Sequence, residues 1–328
     1  MTYRIPGAEQ RFVDLGDVTL SVHVAEPVGG AAPGRPAVVF AHGFPDLAYG
    51  WRHQLEAVAQ AGFLAVSPDQ RCYGASSAPE AIIDYDIMHL TGDLVALLDH
   101  LGVDRAVFVG HDWGGFVVWQ MPLLHPDRVA GVVGLNTPFM ARLPVAPTEV
   151  FRMLGGDGNY ILEFQEPGRA DEVLARDVPG LFDALLRTSV PPEEVAEAAA
   201  TVTEGSTFER IVAGPRLGQP LLDDHEMAVY VDTFVATGFT GGLNWYRNFD
   251  RNWELTPDQE GARIDDIPCL MVTAEWDPVL TPALAAGMPE LVGDLELHEL
   301  SRCGHFTQTE QPVQTNALLI DFLTRRFA

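Results

Sequence analysis

The chain has 328 residues, 47% of them hydrophobic, enough to bury a sizeable core in one large domain or two smaller ones. Its formal charge is −26 and all twenty basic residues are arginine, which excludes a Walker A loop, a lysine Schiff base and a Ser-Lys dyad along with the amine each needs. The acidity also argues against nucleic acid as a partner, because like charge repels phosphate.

In chain order, residues 11–27 (RFVDLGDVTLSVHVAEP) alternate about a Gly16-Asp17 turn and predict a hairpin. Residues 28–36 (VGGAAPGRP) have the composition of a loop. The apolar run 37–40 (AVVF) predicts a strand buried on both faces. A helix is expected over 51–61, a strand over 63–67, a helix over 85–101 and a strand over 106–109, with Gly62 and Gly102 ending the two helices. A helix over 116–124, with Pro122 placed to kink it, leads to a strand over 129–135. The alternation then stops. Residues 139–253 read as helical pieces, 191–203 among them, without a buried strand run. Strands return over 269–273 and 295–300, and a helix over 313–325 closes the chain.

Strands alternating with helices predict an α/β fold: a mostly parallel central sheet flanked by helices. The interruption divides it into a first part of the core over 1–138, a helical insertion over 139–253 and a second part of the core over 254–328. Three cysteines, Cys72, Cys269 and Cys303, show no CxxC spacing, which points to a reducing, cytoplasmic setting. The N-terminal MTYRIPGAEQRF has no apolar signal-peptide region, and no apolar run reaches roughly 18 residues, so neither a signal peptide nor a membrane partner is expected.

The stretch FVGHDWGGFVVW, 108–119, has the punctuation of a nucleophile elbow, with Gly110 and Gly114 in place, but its centre is Asp112 rather than serine. Aspartate also caps helices, yet a cap does not call for glycines on both sides. The partners of an elbow follow in the order acid, then histidine. Asp277 lies in EWDP after the strand CLMVT, and His305 lies in SRCGHFTQ after the next strand. His42-Gly43-Phe44-Pro45 follows the strand AVVF, where this architecture supplies one oxyanion-hole amide, here that of Phe44; the residue after the nucleophile, Trp113, supplies the other.

The carboxylate narrows the electrophile. Serine attacking saturated carbon leaves an ether that water cleaves only slowly, whereas a carboxylate leaves an ester. An aspartate with its reference pKa of about 3.9 is already ionised at neutral pH, so His305, oriented by Asp277, is better used to activate the water that cleaves that ester.

The set HGFP, GHDWGG, EWD and CGHF resembles the epoxide hydrolases of the α/β-hydrolase superfamily, and the resemblance runs over nearly the whole chain. It implies an α/β-hydrolase fold whose helical insertion is a cap, a small apolar epoxide and water as substrates, no cofactor and no metal. NYILEFQEPG and LNWYRN look like the cap segments that carry two ring-opening tyrosines, here Tyr160 and Tyr246. Their neighbourhood in the chain suggests that Phe44, Trp113, Phe139, Leu280 and Phe306 line an apolar pocket. A homodimer is an expectation from the resemblance alone. Haloalkane and haloacid dehalogenases share the aspartate elbow. The former typically carry Asn at the position of Phe44, and fluoroacetate dehalogenases place an arginine where Trp113 stands. Some members of the fold are non-catalytic ligand receptors; an intact Asp112, Asp277 and His305 argues against that here.

Overall fold

The computed structural model describes residues 2–30, 34–155 and 159–327, so part of the expected 28–36 loop lies outside the described residues. Eight strands form one sheet: β1 (Glu9–Asp14), β2 (Thr19–Ala25), β3 (Ala37–Ala41), β4 (Ala65–Asp69), β5 (Ala106–His111), β6 (Val129–Leu135), β7 (Cys269–Ala274) and β8 (Leu295–Leu300). Their spatial order is β1-β2-β4-β3-β5-β6-β7-β8. The β1–β2 hairpin is antiparallel, β2 is antiparallel to β4, and the remaining pairings are parallel. The central strands β3, β5 and β7 are buried along their whole length, as their unbroken apolar runs require. Edge strand β8 instead exposes Leu297, His298 and Glu299 over half its length, and the polarity of the last two discourages a further strand from pairing there.

From β3 the chain crosses to β4 on one side and then returns to β5 on the other. The carboxyl ends of β3 and β5 therefore flank a topological switch point, where a crevice opens in sheets of this kind. Asp112, Asp277, His305 and the Phe44 and Trp113 amides follow those ends or the ends of β7 and β8.

Three helices pack on the first half of the sheet: α1 (Arg52–Gln60), α2 (Ile87–Leu101) and α3 (Trp113–Leu124). Helix α2 begins two residues later than expected because a tight turn over Ile82–Tyr85 precedes it and Asp86 caps it, accepting from the His89 N–H at 3.2 Å. Helix α3 begins three residues earlier than expected, directly after Asp112. Its first turn contains Gly114 and Gly115, which carry no apolar periodicity and so hide the helix in the sequence. Strand β4 runs two residues past its expected end, since Pro68 and Asp69 still pair with β2 although their types suggest a turn.

Between β6 and β7 the chain is helical: α4 (Pro147–Gly155), α5 (Tyr160–Glu163), α6 (Arg169–Ala175), α7 (Val178–Leu185), α8 (Pro192–Ala199), α9 (Thr207–Ala213), α10 (Asp224–Thr237), α11 (Thr240–Arg247) and α12 (Phe249–Leu255). Among the described residues this segment contributes no strand to the sheet. Polar contacts join it to the rest of the chain at several points. Arg52 pairs with Glu226 at 2.8 Å, the Tyr230 hydroxyl donates to Asp46 at 2.8 Å, and Arg251 pairs with Asp86 at 2.8 Å. Helices α13 (Met288–Leu291), α14 (Thr307–Glu310) and α15 (Pro312–Phe327) complete the chain. Among the described residues no helix is long and apolar enough to cross a membrane.

Candidate active site

Asp112 stands between β5 and α3 with φ 52° and ψ −121°, a backbone conformation that a side chain disfavours. Such strain costs on the order of 1–3 kcal/mol and persists only where the surroundings enforce it. They do so through glycines. A Cβ on Gly114 would stand 1.9 Å from the Ala41 carbonyl oxygen, and one on Gly110 would stand 2.3 Å from the Gly114 oxygen. The helix thus begins in backbone contact with the end of β3, and the turn between is too tight for a relaxed φ. Although Asp112 occupies the capping position of α3, its side chain makes no cap hydrogen bond. The carboxylate points away, toward the β3 loop.

There its two oxygens meet different neighbours. Oδ1 accepts the Phe44 N–H at 2.7 Å, while Oδ2 lies 3.8 Å from His305 Nε2. Gly43 makes this approach feasible, since a Cβ there would fall 2.2 Å from Oδ1. Burial raises the Asp112 pKa above its ordinary value, against the opposing pull of His305 and of the Phe44 and Trp113 amides.

His305 Nδ1 lies 2.9 Å from Asp277 Oδ2. Asp277 is buried, yet its carboxyl is held well below the usual carboxylate range. Burial alone would raise it; the His305 charge and hydrogen bond, the Leu280 amide and Asn136 outweigh that. The contacts are short: Asn136 Nδ2 donates to Oδ2 at 2.6 Å, and the Val279 and Leu280 amides donate to Oδ1 at 2.8 and 2.9 Å. With Asp277 ionised and able only to accept, the proton between the two belongs to His305 Nδ1, which leaves Nε2 facing Asp112. Burial lowers the His305 pKa, but Asp277 and then Asp112 push it up to about 9.

Two supporting residues escape the sequence reading. Asn136, just past β6 with φ 62°, bonds Asp277 and also accepts the Thr307 hydroxyl at 2.7 Å, so it ties the acid to the histidine loop. An asparagine at a strand's carboxyl end, where left-handed backbone is tolerated, is the signal that would have found it. His111 Nε2 donates to the His305 carbonyl oxygen at 2.6 Å. Burial, reinforced by the neighbouring His305 charge, pushes the His111 pKa down to about 3, so it stays a neutral strut.

The helical segment closes the other side. Tyr160 opens α5, whose cap Asn159 accepts the Ile161 N–H at 2.9 Å. Tyr246 lies on α11, which seats closely because a Cβ on Gly242 would stand 2.6 Å from the Phe44 ring. The two phenol rings are 6.2 Å apart between centroids. Burial, and next the Asp112 charge, push both phenols above their ordinary pKa, so both stay protonated at neutral pH. Asp112, Trp113, Tyr160 and Tyr246 face one cavity of about 440 Å³.

Phe139 and Leu280 are on that lining, and Phe44 and Phe306 are not. The Phe44 ring is wedged among Phe164, Phe239 and Tyr246, so that only its amide faces the carboxylate. The Phe306 ring packs against His111 and His305. Among the described residues no group of three or more His, Cys, Asp or Glu side chains is placed to hold a metal ion.

An elbow after the strand at the switch point, followed in chain order by an acid and a histidine on later loops, defines the α/β-hydrolase fold, and the profile of that family matches residues 36–312. Relatives narrow the class. The chain is 45% identical to Epoxide hydrolase A of Mycobacterium tuberculosis, over 96% of this chain and 97% of that protein. It is 40% identical to Bifunctional epoxide hydrolase 2 of Mus musculus over 97% of this chain, and spans 54% of that longer protein. The crystal structure of Epoxide Hydrolase A from Mycobacterium thermoresistibile matches with a TM-score of 0.87 at 43% identity, covering 97% of this chain and 98% of that one. An epoxide hydrolase from an endophytic Streptomyces matches with a TM-score of 0.88 at 34% identity, covering 97% and 96%. The chain belongs to the epoxide hydrolases of the α/β-hydrolase fold family.

Proposed function

We propose that the enzyme opens an epoxide to a vicinal diol in two steps, through an ester on Asp112, with residues 139–253 acting as a cap over the site. One observation carries the reading: Oδ1 of Asp112 is engaged by the Phe44 amide, while Oδ2 is turned to His305 Nε2 in a cavity that also holds two phenols. In the first step Oδ2 attacks a ring carbon. The carbon–oxygen bond breaks toward the ring oxygen, which Tyr160 and Tyr246 hydrogen-bond and protonate. Acid assistance of this kind contributes roughly 100- to 10,000-fold.

In the second step His305 Nε2 takes a proton from water, which attacks the ester carbonyl. The negative charge that develops is on Oδ1, the oxygen that already accepts the Phe44 amide, so that donor needs no rearrangement. Collapse breaks the bond between the acyl carbon and Oδ2, which leaves with the diol; the two protons of the water end on that oxygen and on the phenolate left by ring opening, and the carboxylate is restored with the water's oxygen. Esterification also neutralises Asp112, removing one of the charges that raise the His305 pKa. The histidine thus becomes a better base after the first step.

His305→Gln treated with styrene oxide tests this. The variant should accumulate an adduct on Asp112, seen by intact-protein mass spectrometry and peptide mapping. No adduct across a panel of epoxides, together with halide release from alkyl halides by the wild type, would make the enzyme a dehalogenase instead; binding of every electrophile without turnover would make the chain a receptor.

A further inference from the structure

Ring opening asks two phenols to serve one oxygen. Each O–H···O bond spans about 2.5–3.0 Å, so the two hydroxyls must come within roughly 5–6 Å of one another across the ring oxygen. Their backbones belong to different helices. Tyr160 opens α5, a helix of only four residues. A single turn has no stability of its own, so contacts outside it must set the direction of Tyr160.

Two residues off the cavity lining make those contacts, Gln165 and Arg247. Gln165, just past α5, is half-buried. Its Nε2 donates to the Ile161 carbonyl at 2.9 Å and to the Tyr246 carbonyl at 3.0 Å. Carbonyl oxygens only accept, so the amide must present its nitrogen to both, and both of its N–H bonds are used. One side chain thus joins the residue after Tyr160 to the backbone of Tyr246 itself. The tie is returned from the other side. Arg247, the residue after Tyr246, donates from Nε to the Phe164 carbonyl at 3.0 Å and pairs with Asp171 at 2.7 Å. Its other terminal nitrogen donates to Asn244 Oδ1 at 2.8 Å, which braces the guanidinium on its own helix. The Phe164 ring packs edge-on against both phenols, 5.4 Å from Tyr160 and 4.9 Å from Tyr246 between centroids. Ring packing alone is non-directional and would let α5 slide along α11; hydrogen bonds to main-chain oxygens fix its place.

We propose that Gln165 is a positioning residue for ring opening: by bonding the backbone beside Tyr160 and the backbone of Tyr246 at once, it holds both phenols on one epoxide oxygen, with Arg247 securing the same joint. This rests on the epoxide-opening reading above. A displacement of either helix passes directly to its phenol, and misplacing a reacting group by about 1 Å costs roughly 100-fold. The effect of Gln165 falls on formation of the ester, where the phenols bond the ring oxygen, far more than on its hydrolysis, where His305 is the base.

The test is stopped-flow measurement of ester formation and ester hydrolysis with styrene oxide. Gln165→Met keeps an unbranched side chain of similar length and removes both donors. It should slow ester formation by about 10- to 100-fold and leave ester hydrolysis within about twofold of wild type. Gln165→Asn keeps the amide but is one methylene too short to reach both carbonyls. It should show a smaller loss in the same step, and it carries the comparison if the methionine variant does not fold. The decisive measurement repeats the substitution in the Tyr160→Phe, Tyr246→Phe background. With no phenols left to position, Gln165→Met should slow ester formation there by no more than about twofold. An equal loss in both backgrounds would make Gln165 a structural tie of the cap and overturn the proposal while leaving the epoxide reading intact. So would an ester-formation rate unchanged by either substitution in the otherwise wild-type enzyme. A double-phenylalanine enzyme as fast as wild type would remove the tyrosines from the reaction, and no ester on Asp112 with any epoxide would overturn the epoxide reading; the positioning role falls with either.

Discussion

At the residue scale, Asp112 and His305 set each other's protonation. His305 is pushed up to about 9 by two carboxylates, Asp277 at 2.9 Å and Asp112 at 3.8 Å. A histidine protonated in the free enzyme is a poor base, and it helps keep Asp112 ionised against the cost of burial. On the proposed mechanism, ester formation would remove the Asp112 charge but not that of Asp277, so the His305 pKa should drop in the intermediate. Stopped-flow measurement of the ester-hydrolysis phase should give an apparent pKa below the one that NMR titration of His305 in the free enzyme should give, near 9; equal values would show that Asp112 does not tune its base. The same shift bears on stability. A pKa raised on folding stabilises the fold fully below the unfolded value, about 6.5, and that contribution is lost as pH rises through about 9. Sequence order and strand context were enough to single out Asp112, Asp277 and His305. Asn136 was not legible, because its role depends on a φ of 62° and on contacts to Asp277 and Thr307, more than 100 residues away in the chain.

At the scale of elements, legibility followed burial. Strands β3, β5, β6 and β7 are apolar runs whose periodicity needs no tertiary knowledge. The start of α3 was hidden because packing against β3, not periodicity, selects Gly114. The helical segment was legible as helical, but not in how it presents side chains. The Phe44 ring packs among Phe164 at the end of α5, Phe239 between α10 and α11, and Tyr246 on α11. Tyr160 and Tyr246 come from different helices, α5 and α11, and only the packing of those helices brings the two rings within 6.2 Å. If both phenols assist ring opening, replacing both with Phe should slow formation of the ester on Asp112 by at least roughly 100-fold in single-turnover experiments, with the unfolding midpoint nearly unchanged. An ester-formation rate within a few-fold of wild type would remove the tyrosines from the reaction and leave them as packing.

At the scale of the whole molecule, the surplus of negative charge acts on stability rather than on the fold. Even if every one of the 20 arginines paired with a different acid, 46 − 20 = 26 carboxylates would lack a cationic partner. Exposed pairs such as Arg11–Glu9 and Arg263–Asp265 contribute only about 0–1 kcal/mol each, and salt weakens them. The repulsion among the surplus acids is also screened by salt, and it is summed over many more pairs. The buried pairs Arg71–Asp93 and His305–Asp277 lie where mobile ions do not reach, so they drop out of the comparison. Moderate NaCl should therefore raise the melting temperature, with each kcal/mol gained appearing as roughly 2–4 °C in a chain of this size or slightly less. Chloride is the appropriate salt, because sulfate strengthens apolar burial by exclusion and would raise Tm whatever the charge. Scanning calorimetry from low to moderate NaCl at constant pH decides the matter. A fall in Tm would mean that the surface ion pairs outweigh the repulsion that the acidic surplus imposes.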